Sequence, residues 1–317
     1  MEVNAMQVIG IDLGGTKLTS GLIDTEGGIQ HQEYVPLEKK KGAEVAQLIK
    51  AEIARLRAIA SAIRGVGIAV PGIYSANSGR VWAPNIPEWE DYPLLDDLKR
   101  SLPKKLPVRI DSDRACYILG ETWQGAARGS RNAIFLAIGT GIGAGLLVDG
   151  RILRGQGDIA GAVGWLALTT RHIADYSTCG CFEFHGSGTG LAHIARGRLL
   201  NDKYYNGQMH GKLISEIGAP DLFQTYDSGD PIATAVLNEA ITYWGLATAN
   251  LISTFNPEVV VFGGGVFGPG ERFLNRIIAE ARLWAQPIAM AQVRITVSSL
   301  GQQAGLLGAG RLAFLEE

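Results

Sequence analysis

Apolar residues fall along this chain in short runs that end in glycine, separated by longer stretches with helical spacing. Val8–Ile11 is an unbroken apolar run followed by Asp12-Leu13-Gly14-Gly15-Thr16-Lys17; Leu18–Ile23 is a second run and Gln30–Pro36 a third. This pattern predicts a buried strand, a tight glycine turn, a returning strand and a third strand beyond it. Between Ala43 and Ile63, the residues Val45, Leu48, Ile49, Ile53, Leu56 and Ile59 recur at the spacing of one helix face, so an amphipathic helix is predicted there. Val66–Val70 reads as a buried strand closed by Pro71-Gly72. A loop region follows through Trp82, Asn85, Pro87 and Trp89. A short strand, Val108–Ile110, then runs into Asp111-Ser112-Asp113 and a helix over Arg114–Gln124.

The plan repeats in the second part of the chain. Ala133–Ile138 is strand-like, Gly139-Thr140-Gly141-Ile142-Gly143-Ala144-Gly145 follows, and Leu146–Val148 is again apolar. A long helix is predicted over about Pro231–Thr254, a strand at Val259–Phe262 ending in Gly263-Gly264-Gly265, and a helix near Glu271–Trp284. A strand near Val293–Val297 and a glycine-rich final helix over Ala304–Leu315 complete the chain. Each half thus opens on strand, glycine turn and strand and continues in helix–strand alternation, which predicts two α/β domains of related plan. The expected division is 1–114, joined by the C-terminal helix at about 303–317, and 115–302.

Composition narrows the class. The chain has 317 residues, 46% of them hydrophobic, enough for full cores in roughly two domains. A formal net charge of −2, with basic residues dispersed apart from Lys39-Lys40-Lys41, gives no footprint for nucleic acid. No apolar stretch is long enough to span a bilayer and no secretion signal opens the sequence. Three cysteines, Cys116, Cys179 and Cys181, do not make a disulfide framework. A soluble cytoplasmic protein is the default expectation.

The glycine clusters carry the candidate chemistry. Asp12 at a strand end, beside the bare N–H groups of Gly14 and Gly15 and the Thr16 hydroxyl, suits a Mg-bound polyphosphate; an ordinary hairpin turn has the same local pattern. Lys17 either reaches a phosphate or points to solvent. Gly139, Thr140, Gly141 and Gly143 repeat the logic, and two such hairpins facing each other would hold a nucleotide's phosphates through backbone N–H groups. Gly263, Gly264 and Gly265 either let a base or ribose lie flat on backbone or allow close strand–helix packing. No Gly-x-x-x-x-Gly-Lys-Ser/Thr string exists, and Leu146-Leu147-Val148 after the Gly139 cluster reads as strand, which disfavours a Rossmann fingerprint.

These strings, in this order, resemble the ROK family of sugar kinases and repressors (repressor, open reading frame, kinase), within the superfamily of hexokinase, actin and the heat-shock chaperone ATPases. The resemblance rests on Ile11-Asp-Leu-Gly-Gly-Thr-Lys17, Val66-Gly-Ile-Ala-Val-Pro-Gly72, Asp113 with Leu119-Gly-Glu121, and Ile138-Gly-Thr-Gly-Ile-Gly143. Asn256-Pro-Glu-Val-Val-Val-Phe-Gly-Gly-Gly265 and Ala304-Gly-Leu-Leu-Gly-Ala-Gly310 complete it, so it runs from residue 9 to about 310. It implies two ribonuclease-H-like (actin-like ATPase) domains with an interdomain cleft, ATP and Mg2+ as cofactors, and phosphoryl transfer to a sugar hydroxyl. Asp113 matches the family's general base; as a residue type before a helix it also reads as an N-cap. Mg2+ is expected near Asp12, directly or through water. Gly72, Asn85, Ser112, Asp113, Trp165 and Glu183 are the candidate acceptor contacts.

Several family positions are altered. Ser112 stands where the family has an Asn before the catalytic Asp. Gly161-Ala162-Val163-Gly164-Trp165 replaces a Gly-Glu-x-Gly-His string whose Glu and His hold the sugar's hydroxyls, while Glu183 of the Gly-Cys-x-Glu string survives. Glucose placed here would lose two or three partners, each worth about 1 kcal/mol or more. Trp165 would stack on a ring, fill space left by a smaller acceptor, or simply pack, and Asp158 is a candidate compensating contact. The family's structural zinc is expected to be absent, since its His is Trp165 and its first two cysteine positions are Ala174 and Tyr176. Cys179 and Cys181 with His172 or His185 have suitable ligand types. Without metal, Arg171–Thr178 is expected to be a mobile loop.

The leading expectation is therefore an ATP-dependent carbohydrate kinase whose acceptor is not ordinary glucose: an amino, deoxy or anhydro sugar, or a cyclitol. A catalytically silent sugar- or nucleotide-binding regulator is the alternative; with only Met1–Gln7 before the first strand, a DNA-binding form is disfavoured. A partner-activating ATPase with cysteine-ligated clusters finds feeble support in three cysteines. Family homodimers are common, and domain closure around the acceptor is expected.

Overall fold

A computed structural model describes residues 6–60 and 62–315; the rest of the expected Met1–Gln7 and 303–317 segments lies outside the described residues. The chain begins β1 (Gln7–Leu13), β2 (Lys17–Asp24), β3 (Ile29–Pro36), α1 (Gly42–Ile59), β4 (Ile63–Val70), a small hairpin of β5 (Ile73–Ser75) and β6 (Arg80–Trp82), α2 (Leu94–Ser101), β7 (Val108–Ser112) and α3 (Asp113–Gln124). It continues β8 (Ala133–Ile138), β9 (Ile142–Val148), β10 (Arg151–Ile152), α4 (Tyr176–Cys179), α5 (Cys181–Gly186), α6 (Gly188–Asn201), α7 (Ala219–Tyr226) and α8 (Pro231–Phe255). The last elements are β11 (Val259–Gly263), α9 (Leu274–Trp284), α10 (Pro287–Gln292), β12 (Arg294–Val297) and α11 (Ala304–Phe314).

The first sheet has the order β3-β2-β1-β4-β7 and the second β10-β9-β8-β11-β12. In the first, β1 and β2, and β2 and β3, run antiparallel, while β1, β4 and β7 run parallel. In the second, β8, β11 and β12 are parallel and β10 is antiparallel to β9. This order, repeated, is the ribonuclease-H-like, actin-like plan, with the two-residue-period strand buried on both faces. In the first sheet the alternation along β1 sorts Ile9, Ile11 and Leu13 to one side, with Val45, Ile49, Ile53 and Leu56 of α1. Val8 goes to the other side, with Leu306, Leu307 and Ala313 of α11. Trp89 is fully buried in the first cluster; its indole N–H donates to the Gly42 carbonyl at 2.9 Å and its ring stacks on Tyr92.

By compactness the described residues form two units. One comprises those up to Arg131, Gly145–Ala160 and those from Ser298 on, the other Asn132–Ala144 and Gly161–Val297. This differs from a division at residue 114. The cause is α3, which packs on α11 through glycines. A Cβ on Gly308 would lie 1.7 Å from the Cys116 carbonyl oxygen, and one on Gly120 2.5 Å from that of Ala304. Glu121, fully buried, adds polar ties: it accepts N–H bonds from Ala126 (2.6 Å) and Leu300 (3.4 Å) and the Ser298 hydroxyl bond. The glycine-rich final helix therefore belongs with the first unit, as its close approaches to Gly67 and Gly10 also require.

The second unit is built on α8, which lies against α5, α6, α7 and α9. Trp244, fully buried in the middle of α8, donates to the Gly186 carbonyl at 3.0 Å and meets Phe267 edge-on. The predicted helix near 271 begins as a 3-10 turn over Pro269–Phe273, and the predicted helix 43–63 stops at Ile59 so that β4 can start at Ile63. No helix among the described residues is long and apolar enough to cross a membrane.

Candidate active site

The candidate residues fall into two groups, one in each unit. In the first unit, β1 ends at a turn closed by the Gly14 N–H on the Lys17 carbonyl at 2.9 Å. The parallel register sets Asp12 beside Ala69 of β4, and Ala69 beside Asp111 of β7, so the carboxylates of this sheet gather at one strand end. Asp12 is half-buried and lies over the start of α11, where a Cβ on Gly305 would come 2.3 Å from its Oδ2. Burial, then the charge of Asp113, push its pKa up to about 7, against the pull of Lys17. Asp113 is pushed up to about 6 by burial, opposed by Arg114. Its Oδ1 accepts the Arg114 N–H at 2.7 Å.

The helix cap belongs to Ser112 rather than Asp113. The Ser112 hydroxyl accepts the Ala115 N–H at 3.3 Å, and Asp113 is the first helical residue of α3. Asp111, buried, accepts the Ser112 N–H at 2.8 Å and a bond from the guanidinium of Arg154. Arg154 had no sequence signal; it follows the short β9–β10 hairpin and is recognisable only through this contact. Asn85 sits against the glycine turn, its Nδ2 3.0 Å from where a Gly15 Cβ would be. Gly72 has φ +95° and a Cβ there would strike the Trp82 carbonyl oxygen at 2.2 Å, so glycine is required at this bend. Lys17 is exposed, hydrogen-bonds Gln302 at 3.3 Å and lies over the Tyr34 ring. Asp158 is engaged too, its Oδ2 accepting the Ala76 N–H at 3.1 Å.

In the second unit the turn Gly139–Gly141 is held through its three carbonyls and the Gly139 N–H. The Gly139 N–H donates to the Gly141 carbonyl at 3.0 Å. The first two N–H groups of α6, from Gly188 and Thr189, donate to the carbonyls of Gly139 (2.8 Å) and Thr140 (3.3 Å). Glu183 Oε2 accepts the Ile142 N–H at 2.6 Å, and burial raises that carboxyl's pKa against this bond. The Thr140 and Gly141 N–H groups have no acceptor among the described residues. Gly143 lies within β9, buried. Gly264 has φ +92° and passes so near the end of β8 that a Cβ would lie 2.4 Å from the Ile138 carbonyl oxygen; Gly263 lies against the Phe135 ring, and a Cβ on Gly265 would meet nothing within 4 Å. Trp165 is 57% exposed, which removes the plain packing role for its indole.

Arg171–Thr178 is not a bare loop. α4 starts at Tyr176, which is buried and shares a 2.6 Å hydrogen bond with His185; that ring stacks on Tyr243 and faces Glu239 at 3.0 Å. Tyr176 fills with an aromatic ring one of the positions where the family has cysteine. Among the described residues no group of three or more His, Cys, Asp or Glu side chains is arranged to hold a metal ion, Cys179 and Cys181 included.

The ROK family model matches residues 8–315. The chain belongs to the ROK family. It is 31% identical over 317 residues to a glucokinase of Halalkalibacterium halodurans, covering 98% of this chain and 95% of that one. An N-acetyl-D-glucosamine kinase of Yersinia pseudotuberculosis is 28% identical, with 97% and 99% covered. A ROK glucokinase from Streptomyces griseus, solved with glucose and AMPPNP, superposes with a TM-score of 0.78 at 28% identity, over 96% of this chain and 98% of that one.

Proposed function

We propose that this ROK-family protein is an ATP-dependent carbohydrate kinase that phosphorylates a hydroxyl of a sugar or sugar-like polyol, with Asp113 as general base. The observation that carries the reading is the Asp12–Asp113 pair, two interacting carboxylates in one unit, both held above the usual carboxylate range. An alcohol is a poor nucleophile. A carboxylate with a pKa near 6 accepts a proton more readily than an ordinary one and is still ionised at neutral pH. As the acceptor oxygen bonds to the γ-phosphorus, its proton passes to Asp113; the bond from that phosphorus to the bridging oxygen breaks and ADP leaves.

The side chain of Asp12 has no hydrogen-bond or ion-pair partner among the described residues and lies beside a second carboxylate. That donor set fits Mg2+, directly or through water, which when bound neutralises charge on the phosphates. Gly14, Gly15, Thr16 and Lys17 border the same carboxylate. Thr140 and Gly141 offer free N–H groups for phosphate oxygens, with Gly139 and Gly143 shaping the turn, and Gly263, Gly264 and Gly265 leave backbone bare for the nucleoside. Gly72, Asn85, Ser112, Trp165 and Glu183 are the acceptor contacts. The solved relative with AMPPNP supports the nucleotide, and the relatives named for glucose and N-acetyl-D-glucosamine support a sugar acceptor.

Ordinary glucose is a poor acceptor in this reading. Ala162 and Trp165 stand where the resemblance places two hydroxyl-holding side chains, and each lost partner costs about tenfold in kcat/KM. The test is ADP release by the purified protein against glucose, amino, deoxy and anhydro sugars and cyclitols, with Asp113→Asn in parallel. Acceptor-dependent ADP release is expected, reduced by about 10²- to 10⁴-fold in Asp113→Asn while nucleotide affinity stays within the error of the measurement. Unchanged turnover in that variant overturns the mechanism. The altered Ala162 and Trp165 positions also favour a second reading, a silent sensor, whose signature is nucleotide binding without ADP release for any acceptor.

A further inference from the structure

Glu183 has a second task that its family position does not suggest. Its Oε2 accepts the Ile142 N–H at 2.6 Å, and the carboxylate lies against the turn itself: a Cβ on Gly141 would come 2.8 Å from Oε2, and one on Gly164 3.1 Å. The peptide joining Gly141 to Ile142 is thereby pinned at both ends. Its carbonyl accepts the Gly139 N–H at 3.0 Å and its N–H donates to Glu183. A peptide bordered by glycine rotates at little steric cost, because no Cβ obstructs the change in dihedral angle. Rotation here would break both bonds and point the Gly141 carbonyl to the side that the Ile142 N–H now faces, against the Glu183 carboxylate. A turn reshaped in this way loses the backbone arrangement that presents the neighbouring Thr140 and Gly141 N–H groups to an anion.

We propose that Glu183 is a positioning residue of the phosphate turn, holding the Gly141–Ile142 peptide in the orientation that binds the nucleotide. The inference rests on the reading that this turn holds the nucleotide. A charge-assisted bond to a backbone N–H is among the stronger hydrogen bonds in a protein, and it acts here on a turn in which Gly139 and Gly141 flank Thr140.

The experiment is titration calorimetry with MgADP in the absence of acceptor, alongside amide exchange at Ile142. Glu183→Ala is expected to weaken MgADP binding by about tenfold and to speed exchange of the Ile142 amide by at least a similar factor. Glu183→Gln keeps an acceptor oxygen on the same stem and is expected to stay within about threefold of the parent protein. A residue that only touched the acceptor would move the acceptor KM and leave both readouts in place. Gly141→Ala, whose methyl would displace the carboxylate, is expected to phenocopy Glu183→Ala, and to cost less once Glu183 is alanine, since the collision is then gone. MgADP affinity unchanged in Glu183→Ala but weakened in Gly141→Ala overturns this proposal alone. Affinity unchanged in both overturns the nucleotide reading of the turn. Should Glu183→Ala fail to fold, Glu183→Asp, which keeps the charge and shortens the reach, carries the same expectation.

Discussion

The two strand–turn–strand units, β1 to β2 and β8 to β9, share one plan and differ in what they carry. Both follow an apolar strand with a glycine turn containing a threonine, and both open a sheet of the same order. Two residues before the first turn glycine, one has Asp12 and the other Ala137. The first turn is bordered by side chains that titrate or hydrogen-bond, Asp12, Asp113 and Asn85. The second is bordered by one such side chain, Glu183, and by the backbone at the start of α6. Under the proposed function, one scaffold would serve proton and cation chemistry in one copy and anion binding in the other, the choice resting on single residues at matching positions.

The largest expected effect breaks the first copy outright. Gly308→Val would drive a side chain into the Cys116 carbonyl, already 1.7 Å from an ideal Cβ, where α3 and α11 touch. Backbone on backbone cannot yield as a flexible side chain can, so no soluble folded protein is expected on expression. The matched control is Gly265→Ala in the second copy. No atom lies within 4 Å of its Cβ position, and the melting temperature should hold within about 1 °C. Soluble, folded Gly308→Val protein with a normal melting temperature would refute the close approach.

Next in size is the pH dependence carried by the carboxylate that Ala137 lacks. Asp12 is raised from 3.8 to about 7 in the folded chain, so between those values the folded state holds more protons than the unfolded state. Stability from this group is therefore lost as pH rises through that window. Asp12→Asn removes the cost of burying the charge: the difference in melting temperature between variant and parent, both free of ligand, should grow in the variant's favour from about pH 4 to about pH 8. The same variant should lose turnover, which separates its catalytic cost from its gain in stability. A difference that stays flat across the range would mean that Asp12 is not charged and desolvated in the fold.

Local pattern made much of this comparison legible. A strand ending in glycine is written in adjacent residues, so β1, β2, β8 and the first turn follow from apolar runs and punctuation alone, whereas β9 starts at Ile142 and not at the expected Leu146, because Gly143 and Gly145 lie within the strand. Asp12 stands out because it closes a strand beside a glycine turn; Asp113 stands out only through its match to the family's general base, its position alone reading equally as a helix cap. What sequence could not supply were contacts between residues far apart in the chain. Glu183 reaches Ile142 across 41 positions, and Asp12 rests on Gly305 from the other end of the protein. The glycines of α11 read as a motif, yet their reason, neighbours too near to admit a Cβ (Cys116 of α3 at Gly308, Asp12 at Gly305, Ile23 at Gly310), exists only in packing. α6 was invisible for a different cause: its apolar and polar positions do not settle on one face, and its start is fixed by the Ser187 cap and by its bonds to the Gly139 turn.

The smallest expected effect sharpens the comparison through the two helix caps. Ser112 starts α3 in the first unit and Ser187 starts α6 in the second; each hydroxyl accepts the N–H three residues on, at 3.3 and 3.0 Å. Replacing either by alanine should cost about 1 kcal/mol, or about 2–4 °C in the melting temperature of the unit concerned. Their effects on turnover should diverge. Ser112→Ala frees the Ala115 N–H beside Asp113, which already accepts the next N–H along; with the cap gone, the base is drawn further toward the helix end and kcat should fall while MgADP affinity holds. Ser187→Ala loosens the first turn of α6, whose N–H groups hold the carbonyls of Gly139 and Thr140, so MgADP affinity should fall while kcat at saturating nucleotide holds. Ser112→Asn restores a capping oxygen and should recover the melting temperature. Equal losses of kcat and affinity in both alanine variants would show that the two turns do not divide the chemistry between them.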